Sequence, residues 1–153
     1  MLRYLDCLMR AHFLTTETAD ALFIIVDRRI SATVIKADGF PFHHIHATGS
    51  FGKEWMPQRV LDNGVDWKNC PALDIREYIY DMPTVMAAAD IVLCRSGAST
   101  LAELTAIGKP AILVPSPNVV NNHQEKNARV LERGGGAVVL LESDAGADVM
   151  LST

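Results

Sequence analysis

The chain has 153 residues, 49% of them hydrophobic, and a formal net charge of −4. That is the size of one domain with enough apolar material for a core, and an acidic chain without a Lys/Arg run lacks the clustered basic face with which nucleic-acid binders meet phosphates. Cys7, Cys70 and Cys94 are far apart and odd in number, so neither a disulfide framework nor a zinc site is suggested, and a reducing compartment fits.

In chain order, Leu2–Leu14 has the spacing of an amphipathic helix and Leu22–Val26 that of a strand. Asp6 and Arg10 interrupt what would be the apolar region of a signal peptide. Asp27, Arg28 and Arg29 cut off the apolar run from Ala21, well short of the roughly 18 residues of a spanning helix. The expectation is a protein that stays in the cytoplasm. Residues 1–42 otherwise show no pattern that assigns them, so the domain is placed at residues 43–153.

From His43 onward, short β-branched runs alternate with helical stretches, the pattern of an α/β, Rossmann-like parallel sheet with helices on both faces. Strands are expected at His44–Thr48, Asp74–Tyr78, Ile91–Cys94, Ala111–Val114 and Ala137–Leu141. Helices are expected at Lys53–Leu61, Thr100–Ile107 and Gln124–Arg133, with Gly64, Gly108 and Gly134 as the left-handed residues that end them. Ile91–Cys94 and Ala111–Val114 are continuously apolar, as central strands covered on both faces are. Ligands of such sheets bind at the carboxyl ends of the strands, which directs attention to the loops Arg95–Ser99 and Pro115–Asn122.

The densest signal is Cys94-Arg-Ser-Gly-Ala-Ser-Thr-Leu-Ala-Glu103, a buried strand running through small residues into a helix. The exposed amides of the first helical turn, with the helix dipole behind them, make an anion site that can hold a diphosphate without a metal. Glu103, about one turn on, could accept hydrogen bonds from both hydroxyls of a ribose. Thr100-Leu-Ala-Glu103 also fits a capping box; such boxes are commoner than ribose clamps, and spacing does not decide between the two.

A second signal is Pro115-Ser-Pro-Asn118 followed by Asn121-Asn-His-Gln-Glu-Lys-Asn127. Gln124 and Asn127 share a helix face and offer amides of the kind that read sugar hydroxyls, although amides at a helix start also serve as caps facing water. A third is Tyr78-Ile-Tyr-Asp-Met82, where Ile79 could present main-chain groups to a flat base or simply belong to the core. His44 and His46 would point the same way on a strand, with no carboxylate or thiol nearby in sequence, so no metal site is expected. The Gly-x-Ser-x-Gly frame of a nucleophile elbow is missing around Ser96.

Together and in order, His44-Ile-His-Ala-Thr-Gly49, Asp74–Met82, Ala88–Ala98, Thr100–Glu103, Gly108-Lys-Pro110, Val114–Asn118 and Asn122–Asn127 resemble the C-terminal, donor-binding domain of the MurG family of glycosyltransferases. The resemblance spans His44 to Leu141. It implies the C-terminal half of a GT-B fold and inverting transfer of N-acetylglucosamine from UDP-N-acetylglucosamine to a polyprenyl-linked muramoyl-pentapeptide, lipid I to lipid II, in peptidoglycan synthesis.

It also implies roles. Ile79 meets uracil through its backbone, Ala98 to Thr100 meet the diphosphate, Glu103 holds the ribose, and Gln124 with Asn127 reads the sugar; Leu101 and Ala102 complete the donor-binding stretch. No catalytic residue, metal or cofactor is implied in this chain, and membrane contact is expected only peripherally, at the cytoplasmic face, through an acceptor-binding domain. The family's Gly-Gly-Ser-x-Gly-Ala loop and acceptor domain have no counterpart here, and the domain reads as incomplete at its C-terminus. The isolated chain is therefore expected to bind donor weakly and not to turn over. Two alternatives remain open: a non-catalytic donor-binding subunit that needs a separate acceptor-binding chain, and a Rossmann-like module for another nucleotide.

Overall fold

The computed structural model describes residues 23–27, 43–62, 64–70, 73–145 and 149. The helix expected at Leu2–Leu14 lies outside the described residues. Six strands form one sheet: β1 (Phe23–Asp27), β2 (His43–Ala47), β3 (Leu73–Arg76), β4 (Ile91–Cys94), β5 (Ala111–Leu113) and β6 (Ala137–Val139), in the order β3-β2-β1-β4-β5-β6. β2 and β3 are parallel, as are β4, β5 and β6. β1 runs antiparallel to both of its neighbours, β2 and β4. The α/β architecture is the expected one, with a single reversed strand in the middle of an otherwise parallel sheet. That strand, Phe23–Asp27, is the one expected at Leu22–Val26, shifted by one residue.

The connecting helices are α1 (Gly49–Gly52), α2 (Met56–Asp62), α3 (Met82–Ala88), α4 (Ala98–Ile107) and α5 (His123–Arg133). Val85 and Met86 of α3, Leu101 and Leu104 of α4 and Ala128 of α5 pack with Val92, Cys94, Ala111 and Leu113 of the sheet to form the main core. Leu93, which points to the opposite face of β4, is also buried, so this strand is covered on both sides. A second cluster joins Met56 and Val60 of α2 to Leu73 of β3.

Several element ends differ from expectation, among them the start of α4 at Ala98 and the end of β6 at Val139, and three of the differences have local reasons. The helix expected from Lys53 begins at Met56, because Pro57 has no amide to donate one turn back and is tolerated only in the first turn. β3 ends at Arg76 rather than Tyr78: Ile79 turns into the core while Tyr78 and Tyr80 face outward. α5 ends at Arg133 as expected, but the left-handed residue after it is Gly135 (φ +74°), not Gly134, which stays right-handed with its N–H donating to Val130 O at 3.2 Å. Gly108 (φ +63°) ends α4 as expected, with Lys109 N–H donating to Leu104 O.

Candidate functional site

The parallel strands deliver their outgoing loops to one end of the sheet. β3 leads through Tyr78-Ile79-Tyr80 into α3, β4 through Arg95-Ser96-Gly97 into α4, and β5 through residues 114–122 into α5. Gly97, in extended conformation, is the residue that caps α4, and Leu101 N–H donates to its carbonyl at 3.0 Å. Thr100 is thus the third residue inside the helix, which removes the capping-box reading in which Thr100 is the cap. Among the described residues no side chain hydrogen-bonds the start of α4, and Ala98 and Ser99 are exposed. The first-turn amides stand open at the end of the sheet where ligands of α/β folds bind.

Glu103 is exposed and takes part in no hydrogen bond or ion pair among the described residues. It edges a cavity of about 190 Å³ with Met82, Pro83, Met86, Ala106 and Ile107, between α3 and α4. Burial, and secondly the Glu103 carboxylate, push the Cys94 thiol up to about 12. Ile79 is 7% exposed, its side chain in the main core. Leu101 is likewise in the core, so only its backbone can face a ligand, whereas Ala102 is exposed.

Gln124 is buried, and its amide group is partly committed: Oε1 accepts the Ser116 N–H at 2.9 Å. Its backbone carbonyl accepts the Ser96 hydroxyl at 2.8 Å. One residue at the start of α5 therefore ties the loop after β4 to the loop after β5. Asn127, one turn on, is half-buried. Immediately before α5, Asn121 and Asn122 both adopt left-handed conformations (φ 56° and 50°), which asparagine tolerates better than most residues. Asn122 Nδ2 donates to Glu125 Oε2 at 2.6 Å, so this amide is engaged within the helix start.

Arg95 was not singled out from sequence. Its Nη1 donates to Val114 O (3.2 Å), Pro115 O (3.4 Å) and Glu142 Oε2 (2.5 Å). An arginine directly after a buried strand was the signal, since such a charge requires a partner, but Glu142 is 47 residues away and carries no mark of its own. His44 and His46 lie side by side, buried and stacked at 5.7 Å. Two larger hollows lie elsewhere, one of about 460 Å³ between the ends of α4 and α5 and one of about 580 Å³ beside β3. Neither is lined by Ala98–Thr100, Glu103 or Gln124.

A family model described as the glycosyltransferase family 28 C-terminal domain matches residues 17–150. The chain belongs to that family. The match begins ahead of β1 and so takes in the reversed strand. Among curated proteins, the chain is similar to an enzyme named UDP-N-acetylglucosamine--N-acetylmuramyl-(pentapeptide) pyrophosphoryl-undecaprenol N-acetylglucosamine transferase from Acetivibrio thermocellus, 46% identical over 109 residues, which are 71% of this chain and 28% of the relative. A protein of the same name from Bacillus cytotoxicus is 54% identical over 107 residues, 70% of this chain and 28% of the relative. The chain thus spans under a third of the length of these relatives. A crystal structure of MurG from Acinetobacter baumannii shares the fold, with a TM-score of 0.58 and 24% identity over 77% of this chain and 35% of that one. No helix among the described residues is long and apolar enough to cross a membrane.

Proposed function

We propose that this family 28 domain is the donor-binding half of an inverting glycosyltransferase that moves N-acetylglucosamine from UDP-N-acetylglucosamine to a polyprenyl-linked muramoyl-pentapeptide. The observation that carries the reading is the start of α4, where Ala98 and Ser99 are exposed, Thr100 is half-buried, and neither their amides nor Glu103 one turn further on meets a side-chain partner among the described residues. The names of the relatives point to the same donor and acceptor.

In this reading the diphosphate lies on the α4 amides, Glu103 accepts the ribose hydroxyls, and backbone groups of Ile79 meet the edge of the uracil. Gln124, through the amide nitrogen left over from its bond to Ser116, and Asn127 face the sugar. The acceptor's C4 hydroxyl oxygen bonds to the anomeric carbon as the bond from that carbon to the phosphate oxygen breaks. The electron pair leaves on UDP, where the helix start stabilises the growing charge. The hydroxyl proton goes to a base on the acceptor side, outside this chain. A lipid-borne acceptor places the reaction at the cytoplasmic face of the membrane, with peripheral contact through the acceptor-binding portion.

A thermal-shift series with UDP, ADP and GDP tests the site: UDP should raise the melting temperature and the purines should not. Stabilisation by a purine nucleotide but not by UDP would refute the uridine assignment. Turnover of labelled donor by the 153-residue chain alone would refute the division of labour.

A further inference from the structure

The Arg95–Glu142 pair stands apart from the donor contacts, yet one side chain spans the ends of three parallel strands. Arg95 is the first residue after β4. Its guanidinium crosses the end of β5, where it meets the carbonyls of Val114 and Pro115, and closes on Glu142 in the segment that follows β6. Both side chains are 11% exposed.

We propose that Arg95, clamped by Glu142, is a positioning residue that fixes where the α4 amides point, and is not itself a ligand for the donor's phosphates; this rests on the donor-site reading above. Three observations support it. Nη1 already serves three acceptors, and the strongest of them is a carboxylate that neutralises the charge. Nε is buried with no hydrogen-bond partner among the described residues, so the guanidinium is oriented by the clamp at the expense of full satisfaction. Only Ser96 and Gly97 separate Arg95 from Ala98, and Ser96 is itself anchored to Gln124 O. Any swing of Arg95 is therefore passed within two residues to the first helical amide. A nearly dry ion pair adds little net stability but is costly to break on one side, which suits a fixed strut. Lysine cannot replace it, because a single ammonium lacks the planar fork that reaches separate acceptors.

The test compares affinities of the 153-residue chain for UDP and for uridine, which shares the base and ribose contacts but has no diphosphate. In Glu142→Gln, UDP affinity should fall about 10-fold while uridine affinity stays within 2-fold, with circular dichroism confirming the fold. Glu142→Asp, one methylene shorter, should give an intermediate ratio, and Arg95→Lys should behave like Glu142→Gln. Equal losses for the two ligands, or none, would overturn the proposal.

Hydrogen exchange supplies a ligand-free readout. Amides of residues 96–100 should exchange at least 5-fold faster in Glu142→Gln, with those of α3 unchanged. Unchanged protection at residues 96–100 overturns the strut, and faster exchange throughout the chain shows a merely structural role. If the parent chain binds neither UDP nor uridine, the donor-site reading fails, and the exchange data still decide whether the clamp sets the loop.

Discussion

Glu103→Ala separates the proposed donor site from the fold more cleanly than any other single change. The carboxylate is exposed and meets no partner among the described residues, so its loss should alter stability by less than about 0.5 kcal/mol. Along α4, Thr100 and Glu103 share a face and are separated by about 4.5 Å of helix rise, a gap that a ribose can bridge. In the complex the carboxylate would accept two hydroxyl hydrogen bonds, each charge-assisted and each contributing at the lower end of the usual range because the site is open to water. The sum is about 3 kcal/mol, or roughly a 150-fold loss of UDP affinity. Isothermal titration with UDP and 2′-deoxy-UDP completes a double-mutant cycle: the parent chain should prefer UDP, and Glu103→Ala should bind the two alike. If the variant kept the parent's preference for the 2′-hydroxyl, or bound UDP as tightly as the parent, Glu103 would not touch the ribose.

Three further outcomes are expected. Leu113→Ala removes a fully buried side chain from the main core and should destabilise the chain by about 3 kcal/mol in urea titration, with an unchanged slope. Burial pushes the Cys94 thiol up to about 12, so in a Cys7→Ser/Cys70→Ser chain it should resist iodoacetamide at pH 8 until urea unfolds the protein. The Arg129 guanidinium, and next the Val139 N–H, hold the Glu132 carboxyl below its ordinary value. A lowered folded-state pKa gives stability that is present in full above the unfolded value of about 4.3 and is lost as the pH falls through the lower folded value. Glu132→Gln should therefore lose part of the dependence of melting temperature on pH below about 4.3, and leave the dependence above it unchanged.

The parts of the fold visible in the sequence are those fixed by local physics. Ile91–Cys94 is the strand that its continuous apolar run implied, and Gly108 ends α4 where a helix needs a residue free to turn left-handed. Pro57 set a later start for α2, and the left-handed turn after α5 fell on Gly135 instead of Gly134, because the choice between adjacent glycines or between first-turn positions depends on how the helix end packs. The direction of β1 was not legible at all: five residues of apolar strand read the same whether they pair parallel or antiparallel. Within the site, the open α4 start followed from small residues after a core strand. The engagement of Gln124 by Ser116 and of Arg95 by Glu142 did not, since both depend on loops that meet only once the sheet has formed.

The reversed strand changes how the rim is built. In an all-parallel sheet each strand sends its following loop to the ligand end, so the rim is furnished evenly across its width. Here Phe23 pairs with Ala47 and Cys94, and Asp27 with His43, which sets the start of β1 at that rim and its finish at the far side. At the centre of the rim, between β2 and β4, chain enters the sheet instead of leaving it. In the proposed donor site the contacts come from the loops after β3, β4 and β5, to one side of that entry point. A diphosphate held from one flank leaves its other oxygens to water, and occupancy becomes brief unless a second surface closes over it.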